Sequence, residues 1–229
     1  MKTIIALGFD CLWLFVIGGL LGVLIENVWW KLRYGFFQSH VSLLWSPLCT
    51  IYGFGAAGCY LGSLLLTGRS AITKFLAYAL VGTAIEFIGG WLLDAGLNAR
   101  AWDYSGSFLN IRGYVSAGMT LMWGALGLGF DALIPAFKPM LDALRTPEWY
   151  FAGALLAVFL AADTIATSLC LVRWSRRHAG VKAHNPLERF IDRRCPDSRM
   201  RKRFNNWHFN DEPDTARSKA AASSTVLTG

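Results

Sequence analysis

The chain alternates long apolar runs with short polar breaks. Five of these runs reach about 20 residues, the length that an α-helix needs to cross the ~30 Å hydrocarbon core of a bilayer. A backbone exposed to lipid must satisfy its polar groups within a helix or a closed barrel, so the pattern predicts five transmembrane helices. They are expected at about 8–30, 46–67, 72–94, 112–135 and 149–172.

An internal repeat with an offset of sixty residues runs through the first four of these helices. Gly22 and Glu26 match Gly82 and Glu86, and 11 identities pair the residues from 20 to 66 with those sixty positions later. Because each copy would hold two helices, the copies would be parallel and related by an axis along the membrane normal. The predicted fold is therefore an all-α polytopic membrane protein with a two-fold repeat of a two-helix unit.

The charges divide the chain into a transmembrane domain, 1–173, and a tail, 174–229. Up to Val172 nine basic and nine acidic residues cancel, whereas the remainder holds 13 basic and 6 acidic residues and so carries the whole net charge of +7. Within the transmembrane domain the repeat units would span about 8–67 and 68–135, with 149–172 as an extra helix. Since the basic character belongs to the tail, nucleic acid is not an expected partner.

The tail is expected to be basic, largely disordered and cytoplasmic. Residues 185–194 place Asn at a capping position and apolar residues at helical spacing, which predicts a short amphipathic helix. Attraction to anionic lipid is the expected role of the tail, and docking of a protein partner is the alternative. The arginines after the fifth helix place that end in the cytoplasm and Met1 outside, in a multi-pass protein of the cell membrane. Asp10 interrupts the first apolar run, which is expected to remain uncleaved.

Glu26 and Glu86 are the main candidate site residues, because each lies inside an apolar run. An ionisable group there costs at least about 2.5–3.5 kcal/mol and so marks a functional site by default. Two neighbouring carboxylates in a low dielectric cannot both ionise easily, so one would hold a proton or both would hold a cation. The alternative is that each is a neutral acid that locks helices together. Asp163, near Thr164 and Thr167, is a third candidate within a helix.

Cofactor and metal chemistry is not indicated by the sequence. The five cysteines show neither CxxC nor metal-ligand spacing and are expected to be small apolar fillers. The sequence from Gly62 to Ser70 is one residue too long for a phosphate-binding loop and has Arg where Lys is needed. An ATPase, if one takes part, would therefore be a separate subunit.

Six elements of the chain occur in a recognisable order: Glu26, 46–55, Glu86, 102–105, Asn110 with Gly113, and Trp123 with Gly124. Together they resemble the bacterial proteins grouped as Putative ABC-transporter type IV, over about residues 10–130. The resemblance implies a permease-like architecture and adds Tyr52 and Asn110 to the candidate site residues. Two features depart from the family pattern: the stretch before Pro47 reads Gln38-Ser39-His40, and the basic tail is extra.

The loop around Trp102, Asp103 and Tyr104 contributes further candidate residues. Asp103 and Arg112 could pair at the membrane surface while Trp102 and Tyr104 anchor the loop among the headgroups. The functional alternative is a re-entrant lid that closes over the pocket of Glu26 and Glu86.

Three functions remain open from the sequence. The first and favoured one is a transport permease with a paired carboxylate site, working as a homo-oligomer or with a separate ATPase subunit. The second is a structural or regulatory membrane protein whose tail binds partners or lipid. The third is a membrane enzyme that acts on a lipid-linked substrate, which is less favoured because no nucleophile is paired with a base.

Overall fold

The computed structural model describes residues 2–212, which form a helical bundle with one short β-ribbon. The all-α class is confirmed, since each of the two strands is only two residues long. The elements in chain order are α1 (Lys2–Tyr34), α2 (Thr50–Leu65), α3 (Ala71–Leu97), β1 (Ala99–Arg100), α4 (Ala117–Ala143), α5 (Pro147–His178), α6 (Pro186–Arg194), α7 (Asp197–Arg203) and β2 (His208–Phe209).

Four helices of the described chain, α1, α3, α4 and α5, are long and apolar enough to cross a membrane. The second predicted helix, 46–67, is represented by α2, which has only 16 residues. At 1.5 Å per residue α2 covers about 24 Å, less than the hydrocarbon core. It starts at Thr50 rather than Ser46, and the apolar residues in front of it form a non-helical segment.

Hydrogen-bonding side chains and proline fix where the other helices begin. Ser70 accepts a hydrogen bond from Thr73 N at 3.2 Å at the start of α3, and Ser116 accepts one from Met119 N at the start of α4. Pro147 occupies the first turn of α5, where its missing N–H costs nothing. Helix α4 continues to Ala143, beyond its predicted end, and contains two prolines.

The bundle has two distinct ends. At one end, Asp10 of α1 pairs with Arg145 between α4 and α5 at 2.5 Å. At the other end, the loop after α1, the loop after α3 and the C-terminal segment meet: β1 pairs with β2, and Ser39 N donates to Asn205 at 3.0 Å. We call the second the tail end. Two loops and the C-terminal segment therefore cap the bundle together.

The described part of the predicted tail, 174–212, is folded rather than disordered. Its buried side chains, among them Met200, Phe204 and Phe209, pack around Trp174 at the end of α5. Asp192 of α6 accepts hydrogen bonds from two arginines of α5, Arg173 at 2.8 Å and Arg177 at 2.6 Å. The expected amphipathic helix is α6, with Asn185 as its cap. The predicted disorder of Ala216 to Gly229 lies outside the described residues.

Two of the cysteines differ from the expectation of apolar fillers. Cys170 of α5 and Cys195, directly after α6, form a disulfide with their Cα atoms 6.2 Å apart. Cys11, Cys49 and Cys59 are free thiols. The disulfide ties the C-terminal segment to α5.

Candidate functional site

A cavity of about 390 Å³ lies inside the tail end of the bundle, and both Glu26 and Glu86 line it. Its walls come from the four long helices, from α2, from both capping loops and from the C-terminal segment. Helix α4 contributes only Met119 and Trp123 of its first two turns. Five candidate residues predicted from the sequence meet there: Glu26, Tyr52, Glu86, Trp102 and Tyr104.

Glu86 is held by two hydrogen-bond donors, one at each carboxyl oxygen. The Tyr104 hydroxyl donates to Oε1 at 2.9 Å, and the Trp123 indole N–H donates to Oε2 at 3.1 Å. The side chain is 4% exposed. This arrangement fits a carboxylate anion, because both oxygens act as acceptors.

Glu26 has a looser setting than Glu86. The Nε2 atom of His40 lies 3.4 Å from its Oε1, and the Tyr52 side chain makes a further polar contact. Its side chain is 28% exposed. Glu26 is thus the more accessible of the two carboxyl groups.

Each glutamate follows, by four residues, a glycine that admits an aromatic ring from the next helix of the bundle. A Cβ atom at Gly22 would overlap the Tyr52 ring, and a Cβ atom at Gly82 would overlap the Trp123 ring. Residues four apart lie on one helix face, so each ring lies beside its glutamate. The glycines are needed here for close approach.

In the described part of the chain, the cavity is lined by two acidic side chains and by no charged basic one. Among the described residues that line it there is no lysine or arginine, and its histidine, His40, is 8% exposed. Burial lowers the pKa of His40 to about 4, so the ring is neutral near pH 7. No lining side chain of the described chain offsets the glutamates.

The loop after α3 lies against the cavity, and Trp102 and Tyr104 of this loop line it. Tyr104 reaches Glu86, and the Trp102 indole donates to Tyr114 O at 2.8 Å. Burial raises the pKa of Tyr104, so its hydroxyl stays protonated and can donate.

The predicted pairing of Asp103 with Arg112 does not form. Asp103 instead pairs with Arg100, three residues earlier, at 3.1 Å. Arg112 is exposed and has a φ of 54°, which turns the chain at this point. The Asn110 side-chain amide stabilises the loop by donating hydrogen bonds to Ser105 O and Ser107 O, both at 3.0 Å. Asp103, Asn110 and Arg112 shape the loop and do not line the cavity.

Asp163 is fully buried but faces the backbone in front of α2 rather than the cavity. Its carboxylate accepts hydrogen bonds from Trp45 N at 3.0 Å and from the N–H and hydroxyl of Ser46. On the other side, Arg203 of α7 donates to Leu43 O and Ser46 O at 2.9 and 2.7 Å. These contacts satisfy non-helical backbone inside the bundle, where unpaired groups would be costly.

Several residues of the cavity were not predicted from the sequence. Trp123 was noted only as part of the family resemblance, and His40 only as a departure from it. Asn206 and Trp207 line the cavity from the C-terminal segment, which was expected to be largely disordered. Thr164 and Thr167, which the sequence places near Asp163, line the cavity together with Ser168.

At the opposite end of the bundle, two clusters of polar side chains join neighbouring helices. Asp10 accepts a hydrogen bond from Tyr60 at 2.7 Å besides its ion pair with Arg145. Asp131 pairs with Lys74 at 2.6 Å and accepts a hydrogen bond from Tyr78. Within residues 2–212 no group of three or more His, Cys, Asp or Glu side chains could hold a metal ion.

Comparison with known proteins gives one match. The family model described as Putative ABC-transporter type IV matches residues 13–168, which include both glutamates, α2 and the loop over the cavity. No curated protein and no solved structure matches the chain. Since the family match covers more than half of the sequence, the chain belongs to the Putative ABC-transporter type IV family.

Proposed function

We propose that the chain is the membrane-spanning component of a transporter and that its cavity binds a small organic cation. The observation that supports this most directly is that Glu26 and Glu86 line one cavity whose described lining has no lysine or arginine. A cationic ligand would compensate the negative charge that the two acids carry when they are ionised.

The size and the aromatic lining of the cavity favour an organic cation over a bare metal ion. Its volume of about 390 Å³ lies within the range of small-molecule sites. Seven aromatic side chains of the described chain line it, namely Phe15, Tyr52, Phe54, Trp102, Tyr104, Trp123 and Trp207. Aromatic faces attract ammonium groups by about 0.5–2 kcal/mol each, and most strongly where water is excluded.

Glu26 is the better candidate for the group that exchanges a proton for the cation. Glu86 is fixed by two donors, whereas Glu26 is more exposed and has a neutral histidine beside it. In this proposal Glu86 remains an anion and Glu26 binds either a proton or, together with Glu86, the ligand. Transport would then be linked to proton movement.

Access to the cavity would be controlled at the tail end. Tyr104 links the loop after α3 directly to Glu86, and Trp207 of the C-terminal segment lines the same cavity. A cation that competes for Glu86 would weaken the Tyr104 bond and release the loop, so we propose that residues 101–105 act as a lid.

The finer features of the architecture are part of this proposal. Helices α1 and α2 would form one repeat unit and α3 and α4 the other, with α2 as the fifth crossing. Gly22 and Gly82, which the offset of sixty residues aligns, each admit an aromatic ring from the next helix, and this supports the repeat although the two rings, Tyr52 and Trp123, are not themselves aligned. The basic end of α5 supports a cytoplasmic tail end. A separate ATPase subunit or a second copy of the chain would complete the transporter.

Charge selectivity of binding tests the proposal. Thermal unfolding of the purified full chain would be measured with a panel of alkylammonium ions and with carboxylates and sulfonates of equal size. We expect the cations to raise the unfolding temperature and the anions to have no effect. A panel in which no cation stabilises the protein more than its size-matched anion would rule out a cation site.

Transport itself is tested in liposomes. We expect uptake of the most stabilising cation by the wild-type protein and its loss in Glu26→Gln. Glu148→Gln, the same change at an exposed position at the start of α5, is the matched control and should retain uptake. Equal uptake by all three proteins would exclude Glu26 from the transport step.

A further inference from the structure

The basic residues of the C-terminal segment fall into two groups. Several of them are held by carboxylates within the segment or its junction with α5: Arg173, Arg176, Arg177 and Arg201. Arg194 and Arg199, by contrast, form no ion pair with the residues that the structure describes. Arg199 donates to Arg194 O at 2.9 Å, so the two exposed residues lie together. Their charges remain available to an external anion.

These two arginines line a groove that is otherwise apolar. The groove has a volume of about 420 Å³ and lies between α5, α6 and the segment in front of α2. Its apolar walls include Trp45, Leu169, Leu187 and Phe190, all of which are exposed. An exposed apolar wall next to unpaired arginines is complementary to an amphiphile with a negatively charged group.

The position of the groove along α5 matches the border of the membrane. Leu169 belongs to the apolar run of α5, and Arg173 is the first charged residue after that run. The groove therefore lies at the depth where hydrocarbon gives way to headgroups. Basic pockets at this depth suit anionic phospholipids.

We propose that this groove is a specific binding site for an anionic phospholipid. Arg194 and Arg199 would pair with the phosphate, by charge-assisted hydrogen bonds, and an acyl chain would lie along Trp45 and Leu169. The apolar walls assign the site to a membrane lipid rather than to free phosphate. The site is separate from the cavity of Glu26 and Glu86.

Native mass spectrometry of the detergent-solubilised full chain tests the proposal. Phosphatidylglycerol would be compared with phosphatidylcholine of the same acyl chains, and glycerol 3-phosphate would serve as the headgroup alone. We expect retention of phosphatidylglycerol and not of the other two. Because a basic residue near an anionic surface contributes roughly fivefold in affinity, R194Q/R199Q should weaken retention roughly 25-fold.

The matched control is R189Q/R193Q, which removes the same charge from exposed residues of α6 that do not line the groove. It should leave retention within about twofold. Equal losses in the two double variants, or equal retention of phosphatidylcholine, would overturn the site. If R194Q/R199Q unfolds at a lower temperature than the control, R194K/R199K is measured as well, because it preserves both charges. R194K/R199K should keep most of the phosphatidylglycerol retention, and complete loss of retention in this variant would contradict charge pairing with the phosphate.

Discussion

Glu86→Gln removes one of the two negative charges from the proposed cation site and preserves the size of the side chain. A unit charge about 4 Å from a cation contributes about 4 kcal/mol at an effective dielectric of 20. Part of this is offset, because the less charged cavity costs less to desolvate. A net loss of about 1.5–3 kcal/mol corresponds to a dissociation constant roughly 10- to 150-fold higher.

Calorimetric titration of the purified full chain in nanodiscs provides the assay. The ligand is the alkylammonium ion that stabilises the wild-type protein most. Glu148→Gln, at an exposed site outside the cavity, is expected to bind it within twofold of the wild type. Glu86→Gln is expected to bind it at least tenfold more weakly and to remain folded.

The opposing account is that Glu86 only locks α3 to its neighbours through Tyr104 and Trp123. That account predicts a lower unfolding temperature without ligand and an unchanged dissociation constant in the folded variant. Equal dissociation constants for Glu86→Gln and Glu148→Gln would therefore refute the reasoning.

Three further predictions follow from single contacts. Asp163→Asn replaces one of the two oxygens that accept hydrogen bonds from Trp45 and Ser46 by an NH₂ group, which cannot accept. It should destabilise the protein by about 1–3 kcal/mol in thermal unfolding, whereas the same change at the exposed Asp142 should not. Gly82→Ala places a methyl group against the Trp123 ring and should lower the free energy of unfolding by about 1–3 kcal/mol. Gly129→Ala, which has open space around it, should leave the stability unchanged, and equal unfolding temperatures of the two variants would contradict the close packing. An impermeant maleimide should label a cysteine at position 69 and not one at 107 from outside; the reverse would put the tail end in the compartment that favours the disulfide of Cys170 and Cys195.

The membrane class and the two glutamates could be predicted because both depend on differences in hydropathy between neighbouring residues of the chain. An isolated acid in an apolar run is visible in any hydropathy profile. Helix α2 was predicted to start too early because Leu48 and Cys49, directly in front of it, are as apolar as a helix interior. The groups that satisfy the non-helical backbone there, Asp163 and Arg203, lie more than a hundred residues away along the chain.

The folded C-terminal segment was missed for a related reason. Its average composition is polar, but its few apolar residues converge on Trp174, and its acidic residues neutralise the arginines of α5. Pairing across the fold cannot be inferred from average charge. The same limitation explains why Asp103 was assigned to Arg112, although the chain turn brings Arg100 closer.

The partners of the glutamates also required the three-dimensional structure. Tyr104 and Trp123 are 18 and 37 residues from Glu86 along the chain, and no local pattern indicates that both donate to it. The glycine that precedes each glutamate by four residues was visible in the repeat. The aromatic ring that packs against each glycine could not be predicted from the repeat.

A structure of the full chain with the most stabilising alkylammonium ion bound is the most direct test of the cation site. The account predicts that the ammonium group lies between the carboxylates of Glu26 and Glu86, against the rings of Tyr104 or Trp123. An ammonium group bound elsewhere, with this cavity unchanged, would contradict it.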